Sequence, residues 1–303
     1  MKQHIIQKFL KEGILLSPDA LEKADEINTE QLLDQAKNQK QIVFAPEKPN
    51  ELTTTVRELV AKEKMSPQDF ISHYNTHFNG IRGLLLKKLT NPVSVSNAKK
   101  SLSCSTIGMV RERTQRGFII EDTTGWAEVV SKSEDVVEDD VIGLKGSTKE
   151  GVIFAEEIVW PDIPLNHKAS APDIDICLSL KKEARPTISP QTAHVASKDF
   201  NLSNPAWVTI SLGDQAMTIL VYNPQRNIPK KEPISWLRKR HIRPARDQIK
   251  WPEDPFLIEP IPNILWIVQP GDQWKEMYKG VAVISSDGTI PIHVNLSKAE
   301  FSL

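Results

Sequence analysis

The histidines are the residues whose spacing could do chemistry, and their neighbours decide which chemistry. In TAHVASKDF, residues 192–200, His194 stands two positions after Thr192, the spacing at which a strand turns two side chains to one face. A metal-binding strand needs a carboxylate at the first of those positions, and a threonine occupies it. His73 and His77 in HYNTHF lie four apart, on one face of a helix, a spacing used for zinc. Tyr74-Asn75-Thr76 intervenes, so the glutamate base of a zinc-protease helix and its third ligand are missing, and the pair reads as two partly exposed helix histidines. Gly213-Asp214 lacks a second carboxylate and reads as a hairpin turn. Glu121-Asp122 before Thr-Thr-Gly is turn chemistry. No Ser-His-Asp, GxGxxG or GxxxxGK[ST] pattern occurs. Cys104 and Cys177 are far apart, belong to no CxxC, and read as buried thiols.

Two basic stretches could meet phosphate. Arg111, Arg113 and Arg116 surround a segment carrying Phe118, and Trp126 follows on the next. Aromatics that stack bases, beside cations that track phosphates, are the parts of a single-strand binding surface. The competing reading makes Phe118 and Trp126 core and the arginines a solvated hairpin. The second stretch, residues 230–250, carries eight Lys or Arg against two acids, including Lys230, Lys231, Arg238, Lys239, Arg240 and Arg243. It reads as partner docking, as DNA contact, or as structural, with Arg240 and His241 satisfying buried polar groups. A net charge of −1 means that any nucleic-acid binding comes from such patches, not from the whole-molecule field.

The elements that must position these residues change in character along the chain. At 303 residues and 39% hydrophobic, there is material for about two domains. Prolines (21) outnumber glycines (13), which favours loop-rich β structure. Residues 1–36 read as short helices, with Ile5, Ile6, Phe9 and Leu10 on one face and Ser17-Pro18 opening a second helix. Residues 37–64 are a polar linker with one helix near its end. Residues 65–100 form a helical segment opened by Ser66-Pro67 and running to about residue 90. From 101 to 163 five short Ile- and Val-rich segments alternate with turns, the pattern of a small closed barrel, of which the five-stranded OB type is the commonest. Residues 164–303 mix strands (IDICLSL, AWVTISL, MTILVY, FLIEPI, NILWIV, VAVISS) with one basic helix, ISWLRKRHI. The fold class expected is α+β and multidomain. No run reaches the length of a membrane span and the first residues lack a cleavable apolar core, so a soluble, cytoplasmic protein is expected.

Several phrases, in order, resemble the small subunit of the archaeal family-D DNA polymerase (DNA polymerase II). They are KFLKEGILLSPDAL, then IGMVRERTQRGFIIEDTTGWAEVV with DDVIGLKGS and GVIFAEEIVWPDIP, then NPAWVTISLGDQAMTILVYNPQ. WLRKRHIRPARDQIKWPEDPFLIEPIPNILW follows, and YKGVAVISSDGT and PIHVNLSK complete the set. The resemblance implies an OB barrel followed by a calcineurin-like phosphoesterase acting as a 3′–5′ exonuclease, whose chemistry requires two divalent metals. The family's motifs are not matched here. Tyr222-Asn223-Pro224 replaces a Tyr-His-Gly, Val268-Gln269-Pro270-Gly271 replaces a Gly-His-x-His turn, and no Gly-Asn-His occurs. TAHVASKDF fits either a worn first metal strand, with His194 kept, or a later stretch with APDIDICLSL as the first strand; the second register is preferred.

The resemblance therefore implies a shortened chain with a reduced phosphoesterase domain, no catalytic residues, no metal and no cofactor. Its partners would be the large catalytic subunit of the polymerase and DNA, as primer-template or single strand. Residues 3–10 (QHIIQKFL) approximate a sliding-clamp peptide with Leu10 in place of the second aromatic; an amphipathic first helix packing on Leu15 and Leu21 is the plainer reading. Two alternatives stand beside the architectural subunit: a free-standing single-strand-binding protein, and a subunit of a complex whose exonuclease another chain supplies.

Overall fold

Helix α1 (Lys2–Lys11) shows how the pattern is realised: Ile5 and Phe9, one turn apart, are buried with Ile14 and Ala36, and Leu16 and Leu33 cover the cluster. Phe9 thus points inward, and the neighbouring Leu10 is exposed. The aromatic that a clamp peptide would offer is part of this small core, and Ile14, not Leu15, is its packing partner. In the computed structural model, residues 2–16, 21, 29, 33–34, 36–37, 43–44, 52–57, 59–165, 167, 171–179, 192–196, 204–298 and 300–302 are described. The Ser17-Pro18 helix start lies outside them. The chain forms two compact units, Met1–Leu52 with Leu212–Asp214, and Thr53–Ser211 with Gln215–Leu303. In the first, β1 (Leu15–Leu16) pairs in parallel with β2 (Val43–Phe44).

The rest of the chain builds the second unit. Where a helix was expected late in the linker, Leu52–Val56 forms strand β3. Its LTTTV sequence explains the difference, because consecutive β-branched side chains are stiff in a helix and fit a pleated surface. Helix α2 (Pro67–Leu85) begins as expected. Ser66 Oγ accepts from the Asp69 N–H at 3.2 Å, and the Asp69 carboxylate accepts the Ser66 N–H at 2.9 Å, a reciprocal cap with proline at the first turn. Ile81 and Leu85 pack with Leu89, Ile107 and Val141. The helix ends at Leu85, five residues short of the expectation, and turns carry the chain to the four-residue helix α3 (Val95–Ala98).

Five strands follow: β4 (Ser103–Thr114), β5 (Gly117–Asp122), β6 (Gly125–Val130), β7 (Val141–Lys149) and β8 (Val152–Val159). They close into a barrel in the order β4-β5-β6-β8-β7. Every pairing is antiparallel except β6 with β8, which run parallel and share only Val129↔Ile153 and Val130↔Phe154. Inward side chains, among them Val110, Phe118, Ile120, Val129, Ile142, Leu144 and Ile153, fill the interior, and Val95 and Ala98 of α3 join them. The Asp122 carboxylate fixes that helix by accepting the Val95 N–H at 2.9 Å, while its other oxygen accepts from Thr124. Gly117 and Gly146 sit where a Cβ would collide with the carbonyls of Val129 and Phe154 on the facing strands.

The C-terminal part holds two sheets. One has the order β10 (Thr192–Ala196), β9 (Asp175–Ser179), β16 (Ile292–Asn295) and β17 (Glu300–Ser302). The other runs β14 (Trp274–Tyr278), β15 (Val281–Ser286), β13 (Ile264–Val268), β12 (Gln215–Tyr222), β11 (Ala206–Leu212) and β3. Strands β12, β13 and β15 are mutually parallel, and helix α4 (Lys231–Lys239) buries Trp236 and Leu237 in their core. FLIEPI is not a strand; only Leu257 forms a bridge, with His241. Pro255, Pro260 and Pro262 remove the N–H donors a ladder would need. Trp160–Pro164 joins barrel to sheet. Lys88 donates to the carbonyls of Trp160 and Asp162, the Asp162 N–H reaches the Arg238 carbonyl at 2.8 Å, and the Asp162 side chain receives Tyr278 and Lys279.

Candidate functional site

Open α/β sheets bind ligands beyond the carboxyl ends of their parallel strands. Here the polar groups at those ends are bonded within the protein, and most of them are neutral. Gln269, buried just after β13, accepts the Ile228 N–H at 2.7 Å and donates to the Ile228 carbonyl at 3.1 Å and to Ser285 Oγ at 3.0 Å. Trp266 Nε1 donates to Ser286 Oγ, and Tyr222 OH donates to Gln248 Oε1 at 2.9 Å. Burial pushes the Tyr222 phenol up to about 12. Asp287, after β15, turns its carboxylate onto Thr289. These residues do not fit a pair of divalent ions, which needs several carboxylates and imidazoles around a shared centre. The β10 strand formed by Thr192–Ala196 pairs in parallel with β9, Thr192 opposite Asp175; the side chain of His194 and residues 197–200 lie outside the described residues.

The convergence of titratable groups lies elsewhere, where sequence reading placed solvent. His73 and His77 are buried, 3% and 4% exposed, on the face of α2 that meets residues 241–254. The expectation of partly exposed histidines is corrected by three partners remote in sequence. The Asp254 carboxyl, fully enclosed, has one oxygen 2.9 Å from His77 Nδ1 and 3.0 Å from His241 Nε2. Its other oxygen accepts the Phe256 N–H at 2.9 Å and lies 3.9 Å from His73 Nε2. The outer nitrogens are anchored too: His73 Nδ1 is 3.0 Å from the Trp251 carbonyl, and His77 Nε2 is 3.1 Å from the Asp139 carbonyl. The rings of His77 and His241 pack edge to face, centroids 4.1 Å apart. His241 Nε2, despite its distance, lacks hydrogen-bond alignment. Burial pushes the His241 imidazole down to about 4, against the pull of Asp254. Burial would raise the Asp254 carboxyl, but His241 and His77 outweigh it and hold it well below the usual carboxylate range. A cavity of about 490 Å³ adjoins these rings, lined also by Lys239, Arg243 and Asp140.

The barrel residues separate by burial. Phe118 is fully buried in the barrel core and presents no face to a base, which corrects its place in the proposed stacking surface. Trp126 is 52% exposed, with Lys99 Nζ 4.8 Å from its ring centroid. Arg111 and Arg116 are exposed, Arg111 lying 3.8 Å from Glu121. Arg113 is turned back to donate to the carbonyls of Ser133 and Val136. In the second basic stretch, Arg240 is buried, its Nε donating to the Ile258 carbonyl at 2.8 Å and its guanidinium pairing with Glu259. Lys239 pairs with Asp140 at 2.6 Å, and Arg238 reaches Asp135 at 3.3 Å. Lys239 and Arg240 are therefore internal ties, not free docking groups. Lys230, Lys231 and Arg243 remain exposed.

Comparison with known proteins bears on what such a molecule is related to. Its sequence is 28% identical over 188 residues to the DNA polymerase II small subunit of Thermoplasma acidophilum, covering 53% of this chain and 38% of that one. It is 28% identical over 109 residues to the same subunit from Archaeoglobus fulgidus (33% and 22%) and 29% over 113 residues to that of Methanothermobacter thermautotrophicus (32% and 23%). The chain is a relative of the archaeal family-D polymerase small subunit. The matched stretches span only 22% to 38% of those small subunits. No protein-family model matches the chain. No helix among the described residues of this small-subunit relative is long and apolar enough to cross a membrane.

Proposed function

We propose that this chain is a non-catalytic, architectural subunit of a family-D DNA polymerase, docking the large catalytic subunit and helping to position DNA, with 3′–5′ exonuclease activity lost. The observation that carries the reading is the carboxyl edge of β12, β13 and β15, where Gln269 bonds Ser285, Trp266 bonds Ser286 and Tyr222 bonds Gln248. Among the described residues no set of metal ligands gathers there. We read the barrel as OB-type: its order β4-β5-β6-β8-β7, with one parallel seam between third and fifth strands, supports this. Lys230, Lys231 and Arg243 are the cations left for a partner, and Trp126 with Arg111 and Arg116 the surface left for DNA. Co-purification with a family-D large subunit, followed by primer-extension and 3′-digestion assays with and without this chain, tests the reading. Association and synthesis without added digestion are expected; divalent-dependent digestion by the purified chain overturns it.

The exposure of Trp126 favours one second reading, a free-standing single-strand-binding protein. Absence of any association with the large subunit, together with single-strand binding that Trp126→Ala abolishes, selects it.

A further inference from the structure

The buried histidines of α2 present a problem of charge that a protein-only account leaves open. The Trp251 carbonyl accepts from His73 Nδ1 and the Asp139 carbonyl from His77 Nε2, so each of those nitrogens carries the ring proton. In the neutral ring the other nitrogen then aims a lone pair inward. His73 Nε2 and His77 Nδ1 thus face Asp254, and His241 Nε2 joins them 3.0 Å from the same carboxylate, buried and without a hydrogen bond. Lone pairs gathered on an ionised carboxylate repel unless a proton or a metal cation stands among them.

We propose that His77 Nδ1, His241 Nε2 and Asp254 Oδ2 bind a divalent transition metal, zinc foremost, with His73 Nε2 as the fourth ligand. Ligand atoms of the first three lie within 4.8 Å of one another. A tetrahedral zinc with bonds of about 2.0–2.1 Å has ligand-to-ligand edges of about 3.3 Å. The distances of 2.9 and 3.0 Å from Asp254 Oδ2 to His77 Nδ1 and His241 Nε2 are a few tenths of an ångström short of that value, and His73 Nε2, 3.9 Å from the other carboxylate oxygen, would have to close inward to complete the set. Backbone carbonyls holding the outer N–H groups are what a metal-bound imidazole needs to fix its tautomer. Three imidazoles and a carboxylate suit zinc over magnesium or calcium, which prefer oxygen alone. Four protein ligands make the site closed and structural, a clasp between α2 and the 241–254 segment, not a hydrolytic centre. It is independent of the polymerase reading, since it fastens this chain to itself.

The full chain, stripped with a strong chelator and then titrated with zinc and separately with cobalt(II), tests this. One zinc per chain is expected. Bound cobalt should show the intense visible absorption of tetrahedral nitrogen and oxygen ligation without a thiolate charge-transfer band. His77→Gln or His241→Gln should lower zinc affinity by more than about 100-fold, a larger loss than removing an outer partner of a metal site causes. No stoichiometric zinc, an octahedral or thiolate cobalt spectrum, or unchanged binding in the variants overturns the proposal. Should the variants not fold, the cobalt spectrum and stoichiometry of the unmodified chain decide alone.

Discussion

At the scale of single residues, identical expectations from sequence separate once burial is known. Phe118 and Trp126 sit on neighbouring strands, yet one is core and the other about half exposed. Phe118→Ala should cost about 3–5 kcal/mol in denaturant unfolding, the range for truncating a buried aromatic. Trp126→Ala should leave unfolding nearly unchanged and weaken single-strand binding, measured by fluorescence anisotropy, by about 1–3 kcal/mol if one base stacks there. Arg240→Ala should lower stability by about 2 kcal/mol, because the Ile258 carbonyl loses its donor in a buried setting. Lys230→Ala should leave stability within about 0.5 kcal/mol, as an exposed position does. Sequence did carry the suspicion that Arg240 is structural. It did not carry the fate of His73 and His77, because Asp254 is 177 residues from His77, and nothing in HYNTHF names a partner that remote. The only local signal was their four-residue spacing.

Among elements, the clearest success of sequence reading is the start of α2, where Ser66, Pro67 and Asp69 encode a cap with their own side chains. Ser66→Ala should cost about 1 kcal/mol by thermal or chemical unfolding. Lys62 and the Ser66 N–H and hydroxyl hold the Asp69 carboxyl down from its ordinary 3.8 to about 2. As the pH falls the unfolded chain takes up that proton first. The stabilisation is thus complete above about 4 and is lost as the pH drops through about 2. The deficit of Asp69→Asn, measured across an acid titration, should shrink in the same window. The barrel strands were legible for a similar reason: alternating apolar residues and turn signals are local. FLIEPI reads as a strand by its apolar content, but the prolines that interrupt it remove the ladder donors, and β3 is hidden because a polar run of threonines does not look like a strand until it meets a neighbour. Gly117→Ala and Gly146→Ala should each destabilise the barrel by several kcal/mol, since the added methyl meets backbone on the facing strand.

For the whole molecule, the order of the barrel strands is legible in the sequence and the polar ties between distant segments are not. The boundary expected at 163 falls inside one compact unit, where Lys88, Asp162, Arg238 and Lys279 bind the barrel's end to the sheet. Such a polar junction is assembled from segments more than seventy residues apart. A chain beginning at residue 51 should therefore unfold in one cooperative transition, with calorimetric and van't Hoff enthalpies agreeing; two resolved transitions would mean that barrel and sheet melt apart. Within that unit the five strands are not fastened evenly. The parallel contact of β6 with β8 is two residue pairs long, against seven between β4 and β7. If the cylinder breathes, it unzips there first, and amide protons along Val129–Val130 and Ile153–Phe154 should trade with deuterium well before those of the long antiparallel ladder. A single strand threading across that slit would slow the exchange, giving a clock for occupancy that requires no label on the nucleic acid.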